Sequence, residues 1–129
     1  MKNDTALDIL NTARENGGAT WTKYNGFITV GPYYSISLFP EKGLWFPDEQ
    51  TTWRDVKNYA SLVSSLIDKH KMALGLWLDK SGMLNDNMHL DVVTIFEQRD
   101  ISTYAMRQLA DVFCQKSFYD HRTQKVVWV

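Results

Sequence analysis

The chain has 129 residues, of which 44% are hydrophobic, so it carries enough apolar material for one globular domain with its own core. Its 14 basic and 15 acidic side chains give a formal net charge of −1, and no run of Lys and Arg is present to neutralise a row of phosphates. No stretch approaches the roughly 20 apolar residues of a membrane span, and the N-terminus lacks the apolar segment of a signal peptide. Nucleic-acid binding and membrane association are therefore disfavoured, and a cytoplasmic location is expected.

The beginning of the chain predicts one helix followed by short strands. Residues 4–16 carry an apolar stripe at helical spacing, with Asp4 as the N-cap and Gly17-Gly18 as the stop. Asn25-Gly26 predicts a hairpin turn, because a primed turn needs positive φ at both of its central positions. Strands are predicted over residues 19–23, 27–30 and 33–39.

The third of these strands is expected to be half-exposed, because serine recurs on one of its two sides. The inward positions are Tyr34, Ile36 and Leu38, and the outward positions are Tyr33, Ser35 and Ser37. The short apolar stretch Leu44–Pro47 follows, and it either plugs the edge of the core or contacts a partner, since an exposed run of this kind is costly.

The middle of the chain predicts a second helix and then the hairpin around which the domain is organised. Thr52 and Asp55 have capping-box spacing, and apolar residues recur at intervals of three and four as far as His70. The segment Leu74–Phe96 then reads as two strands joined by a polar turn, with Asp79–Gly82 and Asn85–Asn87 as turn-formers. Its return strand is apolar on both sides, which indicates a central position in the sheet.

The remainder predicts a third helix and a final hairpin. The helix is expected over about 101–115, with Asp100 as its cap and Cys114 buried on it. Its buried stripe is predicted to consist of Ile101, Tyr104, Ala105, Leu109, Val112 and Phe113. Residues 117–120 and 125–129 are predicted to pair around a turn.

These elements predict a single α+β domain spanning residues 1–129, with a mainly antiparallel sheet of about five to seven strands packed with three helices. An exposed edge strand at Val126–Val129 would allow pairing with a second copy of the chain, so a homodimer is one expected arrangement.

Few residue patterns in the chain point to catalysis. No phosphate-binding loop, dinucleotide fingerprint, nucleophile elbow or Cys-x-x-Cys motif occurs, and no cofactor or metal is expected. His89 and Asp91 share one side of a strand, but two ligands at that spacing are common by chance. The best catalytic set is Asp120, His121, Arg122 and Lys125, which would supply a base, an acid and a cation for a ribonuclease-type or nucleotide-degrading enzyme. The same residues also suit an ordinary solvated hairpin turn, and we favour that interpretation.

The aromatic content of 13% is the unusual feature of the composition. Large amphipathic rings serve cores first and interfaces second. Four of them fall on strands or loops outside the best core positions and are the candidates for binding a partner: Trp21, Tyr33, Trp45 and Trp77.

Several short motifs along the chain resemble those of small accessory proteins carried by bacteriophages and mobile elements. They are Gly17-Gly18 before Trp21, an aromatic strand from Tyr33 to Glu41, Leu74 to Trp77, Leu90-Asp91-Val92, and Gln115-Lys116 with Tyr119-Asp120. Cys114 departs from the pattern, which often has Asn there. The resemblance implies a phage accessory protein but transfers no catalytic residue.

The residues and the resemblance together favour a non-enzymatic protein that inhibits a bacterial defence system, as an anti-CRISPR protein does, by stoichiometric binding to a host protein. The alternative is the small enzyme that would use the turn between Asp120 and Lys125.

Overall fold

The computed structural model describes residues 1–80 and 85–129, and within them it contains four helices and an antiparallel sheet of eight strands. The helices are α1 Asn3–Asn16, α2 Trp53–Leu62, α3 Ser64–Lys69 and α4 Thr103–Val112. The strands are β1 Gly18–Thr22, β2 Gly26–Phe27, β3 Tyr33–Ile36, β4 Leu44–Pro47, β5 Ala73–Asp79, β6 Asn87–Glu97, β7 Ser117–Asp120 and β8 Lys125–Trp128. The α+β class is confirmed. The predicted second helix is two helices, since the backbone leaves the helical conformation at Val63 (φ −103°, ψ 15°).

The strands follow the order β2-β1-β5-β6-β3-β7-β8, and β4 also pairs with β6. The predicted central hairpin is β5–β6, paired without interruption from Ala73 opposite Val93 to Asp79 opposite Asn87. Part of its predicted turn lies outside the described residues. No helix in the described ranges is long and apolar enough to cross a bilayer.

Strand β6 is the longest strand and belongs to both halves of the domain. It pairs with β5 on one edge, and along the other edge it pairs first with β4 and then with β3. Its even-numbered residues face the helices: Met88, Leu90 and Val92 pack in a core with α1 and α2, and Phe96 packs against a second core that includes α4. Because side chains alternate along a strand, the odd-numbered residues of β6 point to the opposite face.

The first core explains why α1 and α2 lie where they do. In α1 the buried residues recur at intervals of three and four, at Ala6, Ile9, Leu10 and Ala13. They meet the even-numbered side of β5, where Leu74 and Leu76 are buried. Burial of such aliphatic side chains stabilises by about 1.5–3 kcal/mol each before entropy is counted, so this layer holds the sheet in place.

Helix ends follow the sequence signals in some places and not in others. Gly17 ends α1 in the left-handed conformation (φ 83°), and Thr52 and Asp55 form the predicted capping box of α2. Asp4 is not the N-cap of α1, because the helix begins earlier and places Asp4 in the first turn. Asp100 is not the cap of α4 either, since the hydroxyl of Ser102 accepts the Ala105 N–H at 3.1 Å.

The predicted buried stripe of α4 is wrong at three positions. Tyr104, Val112 and Phe113 are exposed, whereas Met106 and Ala110 are the residues buried fully against the sheet. The helix also ends earlier than predicted, so Cys114 lies beyond it with φ 56° and is exposed rather than buried.

The two short predicted strands also differ from the structure. β2 covers only Gly26 and Phe27, and β3 ends at Ile36 instead of residue 39. Tyr34 and Ile36 point inward as predicted, but Ser35 is buried as well. Ser35 is covered because residues 28–32 cross the sheet at this point, with the Thr29 carbonyl bonded to His121 beside Ser35.

Candidate functional site

Strand register brings Trp45 and Trp77 to either side of one histidine. His89 on β6 is directly opposite Trp77 on β5 and directly opposite Trp45 on β4. Residues paired in this way point to the same face of a sheet, with Cβ atoms about 5 Å apart. We call Trp77, His89 and Trp45 the aromatic row. It lies on the face away from the helices, because the neighbouring residues Leu76, Leu90 and Phe46 pack in the first core.

Two of the three rings of the aromatic row, those of Trp77 and His89, are stacked, and one carboxylate lies beside the histidine. The Trp77 and His89 ring centroids are 4.3 Å apart, with planes inclined by only 13°. Asp79 Oδ2 lies 3.7 Å from His89 Nε2. Partial burial lowers the pKa of His89 below its ordinary value, and the nearby Asp79 carboxylate offsets this only in part. His89 is therefore a neutral, flat imidazole at neutral pH and extends the indole surface.

The aromatic row is exposed although it sits at the centre of the sheet. Trp45 is 61% exposed and Trp77 is 48% exposed. On the far side of Trp77 the paired residue of β1 is Gly18, which contributes no side chain. Two exposed indoles on either side of one histidine are unusual, because apolar surface of this size is normally buried or reserved for a partner.

The next row along the strands contains two polar side chains, those of Asn87 and Asp79, and an acidic cleft lies at the end of the strands. Pro47, Asn87 and Asp79 are paired two residues from the aromatic row, so they share its face. One residue further, the Asp48 N–H donates to the Asp86 carbonyl at 2.9 Å. A cleft of about 310 Å³ opens there, lined by Asp48, Glu49, Asn85 and Asp86.

The other two predicted partner-binding residues lie elsewhere. Trp21 is paired with Leu74 and packs against the first core, so it is mainly a structural residue. Tyr33 is half-buried and is paired with Glu97 at the far end of β6. Of the four candidates, the structure brings together only Trp45 and Trp77.

The turn between Asp120 and Lys125 does not present its histidine to solvent. His121 is 3% exposed, and both of its ring nitrogens have partners within the chain. Because a carbonyl only accepts, Nδ1 donates to the Thr29 oxygen at 3.1 Å, and Nε2 then accepts from the Ser35 hydroxyl at 2.9 Å. Burial lowers the pKa of His121 and favours this neutral form.

The carboxylate of Asp120 accepts hydrogen bonds that hold the same turn together. Its Oδ1 accepts from the Gln98 side chain at 2.7 Å and from the Arg122 backbone N–H at 2.9 Å. These bonds and the turn hydrogen bonds hold the pKa of Asp120 below its usual value despite opposing desolvation. Lys125 is paired with Asp120 across the hairpin. The geometry thus suits a turn that anchors residues 28–32 better than a catalytic set.

His89 and Asp91 do not converge on a metal site. His89 contacts Asp79, whereas the Asp91 carboxylate accepts the Val92 N–H at 2.8 Å. Burial raises the pKa of Asp91, although the Ser37 hydroxyl favours its ionised form. Among residues 1–80 and 85–129, no group of three His, Cys, Asp or Glu side chains is arranged to hold a metal ion.

Sequence reasoning missed His89 as a member of the surface and Trp128 as an exposed aromatic. Trp128 is 67% exposed on β8, the edge strand already noted for possible pairing. Its alternation with the exposed Val126 was the available signal. The position of His89 between two tryptophans had no local signal, because β4 and β6 are far apart in the chain.

Comparison with known proteins gives no match: no protein family, curated protein or solved structure is similar to this chain.

Proposed function

We propose that this protein acts without catalysis, by binding a protein partner on the aromatic row. The observation that carries the proposal is the exposure of Trp45 and Trp77, on either side of His89, on the face opposite the helices. Trp is among the residues most enriched at the energetic centres of protein interfaces, since it offers a large contact area for little lost side-chain freedom.

The strands below the aromatic row support this role because they hold it rigidly. β5 and β6 are paired over seven residue pairs, and the other face of both strands is packed against α1 and α2. A preorganised surface loses little conformational entropy on binding, so more of the contact energy appears as affinity.

The more specific form of the proposal names the biological setting. The resemblance to phage and mobile-element accessory proteins supports a phage-encoded inhibitor of a bacterial defence system, anti-CRISPR-like, that occupies a host protein in the host cytoplasm. Such an inhibitor works by stoichiometric occupation, which requires an exposed anchor surface and no reacting group.

The test is a tagged pull-down from bacterial lysate with three versions of the chain. These are the wild type, the double variant Trp45→Ala/Trp77→Ala, and Trp128→Ala as a matched control that removes an exposed Trp from a different strand. A partner recovered in stoichiometric amount by the wild type and by Trp128→Ala, but not by the double variant, is expected.

Two results would contradict the proposal. One is recovery of the same proteins by all three versions, and the other is recovery of no protein by the wild type. A partner that is a subunit of a defence complex supports the specific form, whereas an unrelated partner leaves only the binding role.

A further inference from the structure

The last strand, β8, lies at one edge of the sheet, and its pairing with β7 shows which of its backbone groups point outward. The Val129 N–H donates to the Lys116 carbonyl at 2.9 Å, so these two residues form a hydrogen-bonded pair that continues the antiparallel ladder of β7 and β8. Bonded and non-bonded pairs alternate along such a ladder. The N–H and C=O groups of Val126 and Trp128 therefore point away from β7.

Most of these outward groups are unpaired. The Trp128 carbonyl accepts a hydrogen bond from Arg107 Nη1 at 2.8 Å, which agrees with its outward direction. The Trp128 N–H and both backbone groups of Val126 form no hydrogen bond with any residue in the described ranges 1–80 and 85–129. Unpaired backbone groups along an edge strand are a template for one more strand.

The β8 edge also lacks the features that usually prevent such pairing. Natural edge strands are kept very short, or they carry charged residues, proline or a bulge. The strand at the other end of the sheet, β2, is protected in this way because it has only two residues. β8 has four residues, and of these only Lys125, at its start, is charged. β8 is therefore the end of the sheet that is open to pairing.

We propose that β8 pairs in antiparallel orientation with β8 of a second copy of the chain, around a two-fold axis at Val127. In this register, Val126 of each copy forms a hydrogen-bonded pair with Trp128 of the other copy. The two Val127 residues face each other in a non-bonded pair. Every outward group of both strands then has a backbone partner, and the interface is the same patch on both copies.

A second copy fits this edge because the edge is complementary to itself. Val126 and Trp128 are 48% and 67% exposed and lie on one face of the strand, whereas Val127 lies on the other face and packs against the second core. The two-fold pairing places each Val126 beside the indole of the other copy. Aromatic and β-branched residues form stabilising cross-strand pairs. Lys125 falls opposite Val129, so no two charged side chains are paired in the new ladder.

Arg107 of α4 does not close the edge. A backbone carbonyl oxygen has two lone pairs, so the Trp128 carbonyl accepts from Arg107 and also from the Val126 N–H of the second copy. The paired segment is short, so the contact is smaller than the standard protein interface of about 1,600 Å². The dimer is therefore reversible, with a dissociation constant in the micromolar range.

The first test is sedimentation equilibrium of the full chain at concentrations from about 1 to 500 µM. All proteins carry Cys114→Ser, because the exposed thiol of Cys114 would otherwise form disulfide-linked dimers. We expect the average mass to rise from one chain toward two. Val126→Lys should weaken the dimer at least tenfold, because it places charge on the edge. The matched control is Leu62→Lys on α2, where the side chain is 76% exposed, and it should leave the dimer unchanged.

A second variant tests the backbone hydrogen bonds. Val126→Pro removes an N–H that points outward, so the pairing of β8 with β7 does not need it, and proline is tolerated on an edge strand in that position. It should also weaken the dimer at least tenfold. Circular dichroism shows whether each variant keeps the fold.

Disulfide cross-linking tests the register. In the Cys114→Ser background, Val127→Cys should form a disulfide with its own copy under mild oxidation, because Cα atoms of a non-bonded pair are about 4.5 Å apart. Val126→Cys should react far more slowly, since the two Val126 positions are offset by two residues along the strands and their Cα atoms are about 8 Å apart.

Three outcomes would overturn the inference: a monomer at every concentration, a dimer that a folded Val126→Lys or Val126→Pro variant leaves unchanged, or faster cross-linking of Val126→Cys than of Val127→Cys. The cross-link requires neither the Lys nor the Pro variant to fold. The aromatic row is centred on β6, three strands from β8, so failure of the dimer leaves the proposed binding function standing.

Discussion

The two faces of the β5–β6 hairpin share one backbone but differ in the type of their side chains and in how deeply those side chains are buried. On one face Leu74, Leu76 and Leu90 are fully or almost fully buried under α1 and α2. On the other face, the exposed Trp77 and Trp45 lie on either side of the half-buried His89. The aromatic side chains are the larger ones, yet the smaller aliphatic ones form the core.

This contrast shows that the alternation of side chains along a strand separates residues that stabilise the fold from residues that are available for binding. Adjacent residues point in opposite directions, so one strand stabilises the fold with half of its side chains and presents the other half. Residue type alone does not show which half is which. Substitutions on each face test this difference, and the largest loss of stability is expected on the helix-covered face.

Leu90→Ala should reduce the free energy of unfolding by about 2–5 kcal/mol, since it leaves a cavity at a fully buried position between the sheet and the helices. Denaturant unfolding followed by circular dichroism measures the change. A loss below about 1 kcal/mol would mean that the first core rearranges around the cavity, and the contrast between the faces would be weaker than described.

Acidification should lower the free energy of unfolding, because His121 is buried where residues 28–32 cross the sheet. Burial lowers the pKa of His121 below its ordinary value of 6.5, and the pKa of His89 is lowered too. The unfolded chain then binds protons that the folded chain does not, so stability is complete above about pH 6.5 and is lost as pH falls toward the folded-state pKa values.

The measurement is the free energy of unfolding between about pH 7.5 and 5.5, in the wild type and in His121→Gln. A smaller decrease is expected in the variant, because one of the two shifted histidines is absent. Asp91, whose pKa is raised, acts with the opposite sign at lower pH. Equal slopes for the two proteins would show that His121 does not titrate on unfolding.

Trp45→Ala should have the smallest effect on stability, within about 1 kcal/mol, because the side chain is mostly in solvent. Its matched control is Phe46→Ala on the same strand, where the ring packs against the first core and a loss of at least about 2 kcal/mol is expected. Thermal melting of both variants gives the comparison. A large destabilisation by Trp45→Ala would place that indole in the core and remove the proposed binding surface.

The fold class could be predicted because its signals are local. Alternation identified the central hairpin, and capping residues marked the start of α2 and the end of α1. The stripe of α4 failed because Tyr104, Val112 and Phe113 are apolar by type but face solvent, whereas the buried Met106 and Ala110 were not recognised. Apolar character indicates a core face only when the orientation of the helix is known.

For the candidate site, the sequence indicated which residues to consider but not which of them lie together. Trp45 and Trp77 were noticed as aromatics outside the best core positions, but so was Trp21, which packs inward. What joins Trp45 to Trp77 is the pairing of β4 and β5 with opposite edges of β6, a contact between distant parts of the chain. The burial of Ser35 and His121 likewise depends on residues 28–32 crossing the sheet, which no local pattern encodes.

The late position of β5 and β6 in the chain has a consequence for biosynthesis. β3 and β4 leave the ribosome before their partner β6, and β1 has only the two-residue β2 beside it until β5 emerges. The nascent chain therefore carries unpaired apolar strands until β6 is synthesised, and such strands favour aggregation. Expression with chaperones in excess, which cover unpaired strands until β6 emerges, is the practical condition under which the protein should be produced.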